Sequence, residues 1–463
     1  MDNVRPGQKQ KNTSSMSGQP ASVKIGITGK AGMGGTRGVP LSVPLPYLLT
    51  GLVFAMVWGI MAPWVLPEAL LSPGYPHVLT LVHTATLGWL TMTIMGATFQ
   101  LIPVIIVAPL RATRFIHLQY PLYLCGVILL LSGFWWGQAW LLIIGGICIV
   151  TAVIHYVLVL AITLKQATTH PITMRFLIAS LLYLSIVVCL GLTAALNREF
   201  WFLGASASSV FLIHITLGVL GWLSCTLIGV SYQLVRMFAL AHAHTEHVGK
   251  YIFIGLHTSI IMLATWAIFF WLPLLLCGGL LLICTFGLFA YDFSRMFKVR
   301  QRKILDVTQF HSICAVTYGV LAFFFSILAL FLGWGKPFLL TALGIAVLVG
   351  WIGQSTIGYQ YKIVPFLVWN IHYGPQVGRQ KVPLMRDLLH ERWMWISFWL
   401  INGGLPLVIL CAVCQWTLPL QVSGALVGLG LLIAAMNIMG VALHLLKDPS
   451  HQQSLSTPVP FPH

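Results

Sequence analysis

The chain has 463 residues, of which 58% are apolar and only 7% charged, and its mean hydropathy is +0.91. An average soluble domain carries about 25% charged residues, so a soluble globular protein is excluded. The net charge of +16 does not mark a nucleic-acid partner, because the basic residues alternate with apolar stretches instead of gathering on one soluble face.

In chain order, residues 1–43 carry Lys, Gly, Ser and Gln without an apolar run, which argues against a secretory signal and predicts a disordered cytoplasmic tail. Residues 44–448 form the predicted membrane domain. Twelve apolar stretches lie near residues 44–66, 77–107, 118–136, 139–163, 175–196, 203–238, 250–272, 273–292, 307–333, 338–368, 395–414 and 420–446. Crossing a hydrocarbon core of roughly 30 Å takes about 20 residues, so each is long enough to span a lipid bilayer. Backbone groups in lipid must be paired internally, which makes the spans helices and the fold an all-α polytopic membrane protein. Residues 449–463 read as a second cytoplasmic tail.

With the N-terminus in the cytoplasm, all of the 25 Lys and Arg except Arg198 and Lys336 fall in cytoplasmic loops, tails or helix ends. They include Arg111, Arg114, Lys165, Arg175, Arg236, Lys250, the run Arg295 to Lys303, and Arg379 to Arg392. The positive-inside rule thus selects an N-in, C-in, multi-pass protein of a bacterial-type cytoplasmic (inner) membrane. The nine Asp and Glu lie in tails, loops or helix ends, with Asp292 and Asp306 bordering the basic loop before the ninth span, which leaves no carboxylate for a proton relay inside a span. The nine Cys are scattered through apolar spans as small buried hydrophobes, and Cys411 and Cys414 form a C-x-x-C without a second pair.

Three segments match without a gap: GWLTMTIMGATFQLIP from Gly88, GWLSCTLIGVSYQLVR from Gly221 and GWIGQSTIGYQYKIVP from Gly350. Gly-Trp opens each, followed by a hydroxyl (Thr93, Thr226, Ser355), a glycine (Gly96, Gly229, Gly358), an aromatic (Phe99, Tyr232, Tyr361) and a long polar residue (Gln100, Gln233, Lys362). The copies are 133 and 129 residues apart and fall in the spans 77–107, 203–238 and 338–368, the second, sixth and tenth. The spacing of Trp, hydroxyl, Gly and polar residue puts them on one helical face, which should point inward because a lipid-facing Gln or Lys is costly. The expected architecture is therefore three pseudo-threefold four-helix arcs around central cavities.

Twelve helices in three arcs with helices two, six and ten inward resemble the catalytic subunit of haem-copper oxidases and nitric oxide reductases, the cytochrome c oxidase subunit I-like superfamily. The local match is best where His83-Thr84 opens the span that carries Gly96, an aromatic and Pro103; it is similar to the reductase helix whose His-Thr supplies an axial ligand to the low-spin haem. The resemblance is that of a divergent member, comparable to the NnrS family, a haem- and copper-associated group of twelve-span proteins linked to nitric oxide stress. It implies haem b, possible copper, and a cytochrome or other electron-transfer partner; if the protein is an enzyme, it implies an oxidoreductase of the cytochrome oxidase or nitric oxide reductase type. The span 338–368 has no His-x-His, and the seventh has only His257, so a complete standard oxygen-reducing centre is not expected.

Imidazole is a ready ligand for haem iron or copper, and His83 and His214, on inward-facing repeat helices, are the candidate cofactor and metal ligands. His155 and His257 suit structural hydrogen bonds, and His311 and His444 sit near cytoplasmic helix ends. His242, His244 and His247 form a metal-like spacing that equally reads as a solvated loop. Lys362 has a stem long enough to snorkel to the cytoplasmic surface. The alternative reading is a transporter or channel whose threefold repeat frames a polar pathway along Thr93, Gln100, Thr226, Gln233, Ser355 and Lys362. The charge pattern predicts that cysteines introduced near Glu68, Arg198 and Lys336 are labelled from outside the cell, and those near Arg111, Arg175, Arg300 and Arg386 are not; the reverse labelling would overturn the topology.

Overall fold

The computed structural model describes residues 39–446 except His242 and Trp334; residues 1–38 of the expected N-terminal tail 1–43, and all of the expected C-terminal tail 449–463, lie outside the described residues. Among the described residues, twelve helices are long and apolar enough to cross a membrane: α1 Pro44–Ala69, α2 Pro76–Ile106, α3 Thr113–Trp136, α4 Ala139–Leu164, α5 Ile172–Phe200, α6 Gly204–Ala239, α7 Gly249–Phe269, α8 Leu272–Lys298, α9 Val307–Leu332, α10 Pro337–Gln376, α11 Glu391–Val413 and α12 Thr417–Leu446. The protein is thus an all-α, multi-pass membrane protein, and the even number of spans brings residues 39 and 446 to the same end. Prolines open α1, α2 and α10, where a missing N–H costs nothing. Gly137, at φ +65°, closes α3 in the left-handed conformation and turns the chain into α4. An Asp306–Gln309 capping box starts α9. Of the exposed tryptophans, Trp64, Trp136, Trp140, Trp201, Trp271 and Trp416 lie at the end opposite to Arg111, Lys165, Arg236 and Arg295, while Trp393 lies at the basic end; interfacial aromatic belts form at both membrane surfaces. Val39 and Val43, from the expected tail, are buried against the bundle.

The helices that carry the three matching segments share an irregularity. Each widens into π turns around its Gly-Trp pair, over Thr84–Thr91 in α2, Leu217–Ser224 in α6 and Ala346–Gly353 in α10. π turns of this kind collect at functional sites. Each also packs through its two glycines on the preceding helix. A Cβ at Gly88, Gly221 or Gly350 would lie within 2.5–2.7 Å of Phe54, Tyr183 or Tyr318, and one at Gly96, Gly229 or Gly358 within 2.4–2.9 Å of Tyr47, Phe176 or His311. In all three cases the two partner residues are seven apart, two turns of one helix. Across the helices, Trp222 Nε1 donates to Thr91 Oγ1 at 2.9 Å and Trp351 Nε1 to Ser224 Oγ at 3.2 Å. The corresponding position in α10 is Gly353, which packs against the Trp89 ring, and Trp89 Nε1 is buried without a partner.

Lipid tails offer helices no hydrophobic drive to associate, so contact depends on how closely backbones approach. The tightest approach is between α1 and α12, where a Cβ at Gly428 would sit 2.2 Å from the Gly59 carbonyl oxygen. Gly428→Ala should therefore destabilise the detergent-solubilised protein by about 1–3 kcal/mol, as overpacking does. Gly279→Ala, which meets nothing within 4 Å, should leave the melting temperature unchanged; equal effects of the two would contradict the packing argument.

Candidate functional site

Two histidines from different helices come together near the aromatic-belt end. His83 closes the α-helical start of α2, immediately before its π turns, and its Nδ1 lies 2.8 Å from the Leu79 carbonyl one turn back. Phe134 of α3 stacks over the ring at 4.8 Å and 29°. His214 lies three residues before the π turns of α6, and its Nδ1 is 3.1 Å from the Val187 carbonyl of α5. Gly191 of α5 admits that ring, since a Cβ there would be 3.1 Å from His214 Cε1. The two imidazole centroids are 6.5 Å apart and their planes are inclined by 26°.

A carbonyl oxygen only accepts, so both Nδ1 atoms are donors. Each neutral ring then keeps the lone pair on Nε2, and among the described residues neither Nε2 has a hydrogen-bond partner. A backbone carbonyl on one imidazole nitrogen is the usual support of a ring that binds metal through the other. Among the described residues no group of three or more His, Cys, Asp and Glu could hold a metal ion. The two rings thus offer a pair of imidazole nitrogens as donors.

The other candidate residues lie deeper along the repeat helices. Thr93 and Thr226 line a cavity of about 30 Å³ between α2, α6 and α10, together with Thr98, Thr356, Tyr359 and Gln360. The polar groups there largely satisfy one another: Thr98 shares a hydrogen bond with Tyr156 at 2.6 Å, Ser231 with Tyr359 at 2.7 Å, and Gln360 Nε2 donates to Thr93 at 3.1 Å. Ser355 donates to the Trp351 carbonyl of its own helix. Gln100 and Gln233 are half-buried further towards the basic end, and Gln100 Oε1 has no partner. Lys362 reaches towards the basic end, where its Nζ is 2.6 Å from Asp306. No family model matches the chain, and no curated protein matches it at a significant level.

Several buried polar groups were not legible in the sequence. Asp292, placed by sequence at the border of a loop, is fully buried inside α8; it accepts from Tyr232 Oη at 2.8 Å and lies 3.1 Å from His244 Nε2. His244 is therefore buried rather than solvated, and His242 lies outside the described residues. His311 is also fully buried, with Nδ1 2.9 Å from Gln354 Oε1, and Gln354 pairs with Asn402. His257 bonds with Tyr183 at 3.2 Å, His444 with Tyr373 at 2.8 Å, and His155 lies against Phe115. The helix α10 runs beyond its expected end at 368 and takes in His372 at the basic end. No spacing rule could have found the Asp292 set, because its members pair across 48 and 60 residues.

At the basic end, burial pushes the Asp306 carboxyl up, but Lys362, the Thr308 hydroxyl and Arg302 outweigh it and hold the group below its ordinary 3.8. With the folded value depressed, the stabilisation is complete above the unfolded value and fades as pH falls through the folded one. Lys362→Met should therefore lower the melting temperature relative to wild type near pH 7, with the gap narrowing below the ordinary carboxylate value. A gap that persists or widens in acid would show that Asp306 is not the partner that matters.

Proposed function

We propose that this protein is a haem-binding, redox- or nitric-oxide-related membrane protein in which His83 and His214 would hold one b-type haem. The observation that carries the reading is the convergence of two rings from α2 and α6, 6.5 Å apart, each with its Nδ1 proton given to a backbone carbonyl. Haem, when bound, supplies one-electron chemistry and a place for diatomic ligands. The chain's part is to fix both tautomers through Leu79 and Val187 and to restrain ring rotation through Phe134. Two neutral imidazoles also suit a copper(I) ion, which the absorption spectrum tells apart from haem.

On this reading the chain is a divergent haem-copper oxidase-like protein without a standard oxygen-reducing centre, facing an external electron-transfer partner, with both termini in the cytoplasm. The pseudo-threefold arrangement of four-helix arcs is part of the same proposal. It is supported by the π turns at three corresponding places, by the glycine contacts seven residues apart, and by the Trp-to-hydroxyl bonds between successive copies. The transporter alternative has less support, because the polar groups around the central cavity largely satisfy one another and that cavity has room for little more than a water molecule or two.

Protein purified after expression with ample haem should show a Soret band. His83→Ala and His214→Ala should each remove or strongly alter it, and His155→Ala should not. A folded, stable, haem-free wild type would defeat the reading and favour the transporter.

A further inference from the structure

Resting on the reading that His83 and His214 hold one haem, we propose that the pair is unequal: His83 is the fixed ligand, His214 is the one that yields, and a small uncharged diatomic molecule binds on the His214 side. The two rings are held in different ways. His83 gives its Nδ1 proton to Leu79 of its own helix at 2.8 Å, so ring and acceptor move together, and Phe134 covers one face. The segment Pro76–His83 is anchored by buried Val78, Thr80 and Leu81.

His214 has no such anchorage. Its Nδ1 acceptor, Val187, belongs to a neighbouring helix and is 3.1 Å away, so a small slide of α6 against α5 breaks the bond. No residue of the segment Ala207–Thr216 is fully buried. That segment is bounded by irregular backbone on both sides: a 3₁₀ turn at Gly204–Ser206, with Gly204 at φ +51°, and the π turns from Leu217. Such stretches open at lower free energy than regular, buried helix. The ring keeps its place through one clearance, Gly191, where any side chain would press on Cε1. Phe211 and Ile215, on either side of His214, are exposed on the helix surface. In a bilayer that surface meets acyl chains, so the approach admits small uncharged molecules and disfavours ions.

Carbon monoxide mixed with the reduced, haem-loaded protein tests this. Wild type should bind it slowly, limited by departure of His214. His214→Ala should keep haem on His83 with a five-coordinate spectrum and bind carbon monoxide faster than wild type, because no ligand then has to leave first. Gly191→Ala, which crowds the His214 ring, should also bind faster than wild type. Gly218→Ala, whose Cβ would meet Val187 at an ordinary 3.7 Å, should match wild type. If instead His83→Ala keeps the haem and binds rapidly while His214→Ala loses it, or if His214→Ala binds no faster than wild type, the asymmetry is overturned. A wild type with no Soret band overturns the underlying haem reading itself.

Discussion

The close approach of helices through glycine is the constraint on which the rest of this structure depends. Water drives soluble cores together, but acyl chains are as apolar as leucine, so helices in a bilayer associate through contact distance and hydrogen bonds. The inner helices α2, α6 and α10 present paired glycines to pairs of larger side chains, five of the six partners aromatic, on α1, α5 and α9, and α12 meets α1 backbone to backbone at Gly59 and Gly428. These sockets recur at the same seven-residue spacing on all three helices. The Trp222 and Trp351 indoles meet the hydroxyls of Thr91 and Ser224 across the same helices.

The places where the matching breaks are informative. Gly353 stands where the other copies have Thr91 and Ser224, so the Trp89 indole packs on backbone and leaves its N–H unpaired. An unpaired buried donor is costly, so this junction is a point of local strain as well as a point of contact. The histidines differ too, since His83 and His214 do not occupy corresponding positions in the matching segments. A pair drawn from unequal positions is built by the meeting of two helices and not by the repeat, which is why the two rings end up with different supports.

Polar groups inside the bundle are confined to a few layers. The imidazole pair lies towards the aromatic belt, the hydroxyls and Gln360 lie between the inner helices, and the carboxylates Asp292 and Asp306 lie towards the basic end. Both carboxylates sit beside basic groups, Arg295 for the first and Lys362 and Arg302 for the second. Buried charge survives only when paired, and the Lys362–Asp306 pair ties the start of α9 to α10.

The sequence by itself determined what depends on local composition. Run length and hydropathy give the twelve spans, because a bilayer has a set thickness and lipid tolerates no unpaired backbone. The Gly-Trp skeleton, read as three copies, falls on the three helices that share π turns, and His83 and His214 stood out as imidazoles in those helices. What the sequence did not carry is which side chains meet across helices. Asp292 looked like a loop-border residue because its partners, Tyr232 and His244, lie on another helix and another loop. The partner of Lys362 was likewise hidden, because Asp306 reaches it from the cap of α9. The distance between His83 and His214, and the carbonyls that set their tautomers, depend on how α2, α5 and α6 are rotated and staggered. Spacing along one chain holds no record of that, because a helix of 3.6 residues per turn repeats the same pattern whichever neighbour it faces.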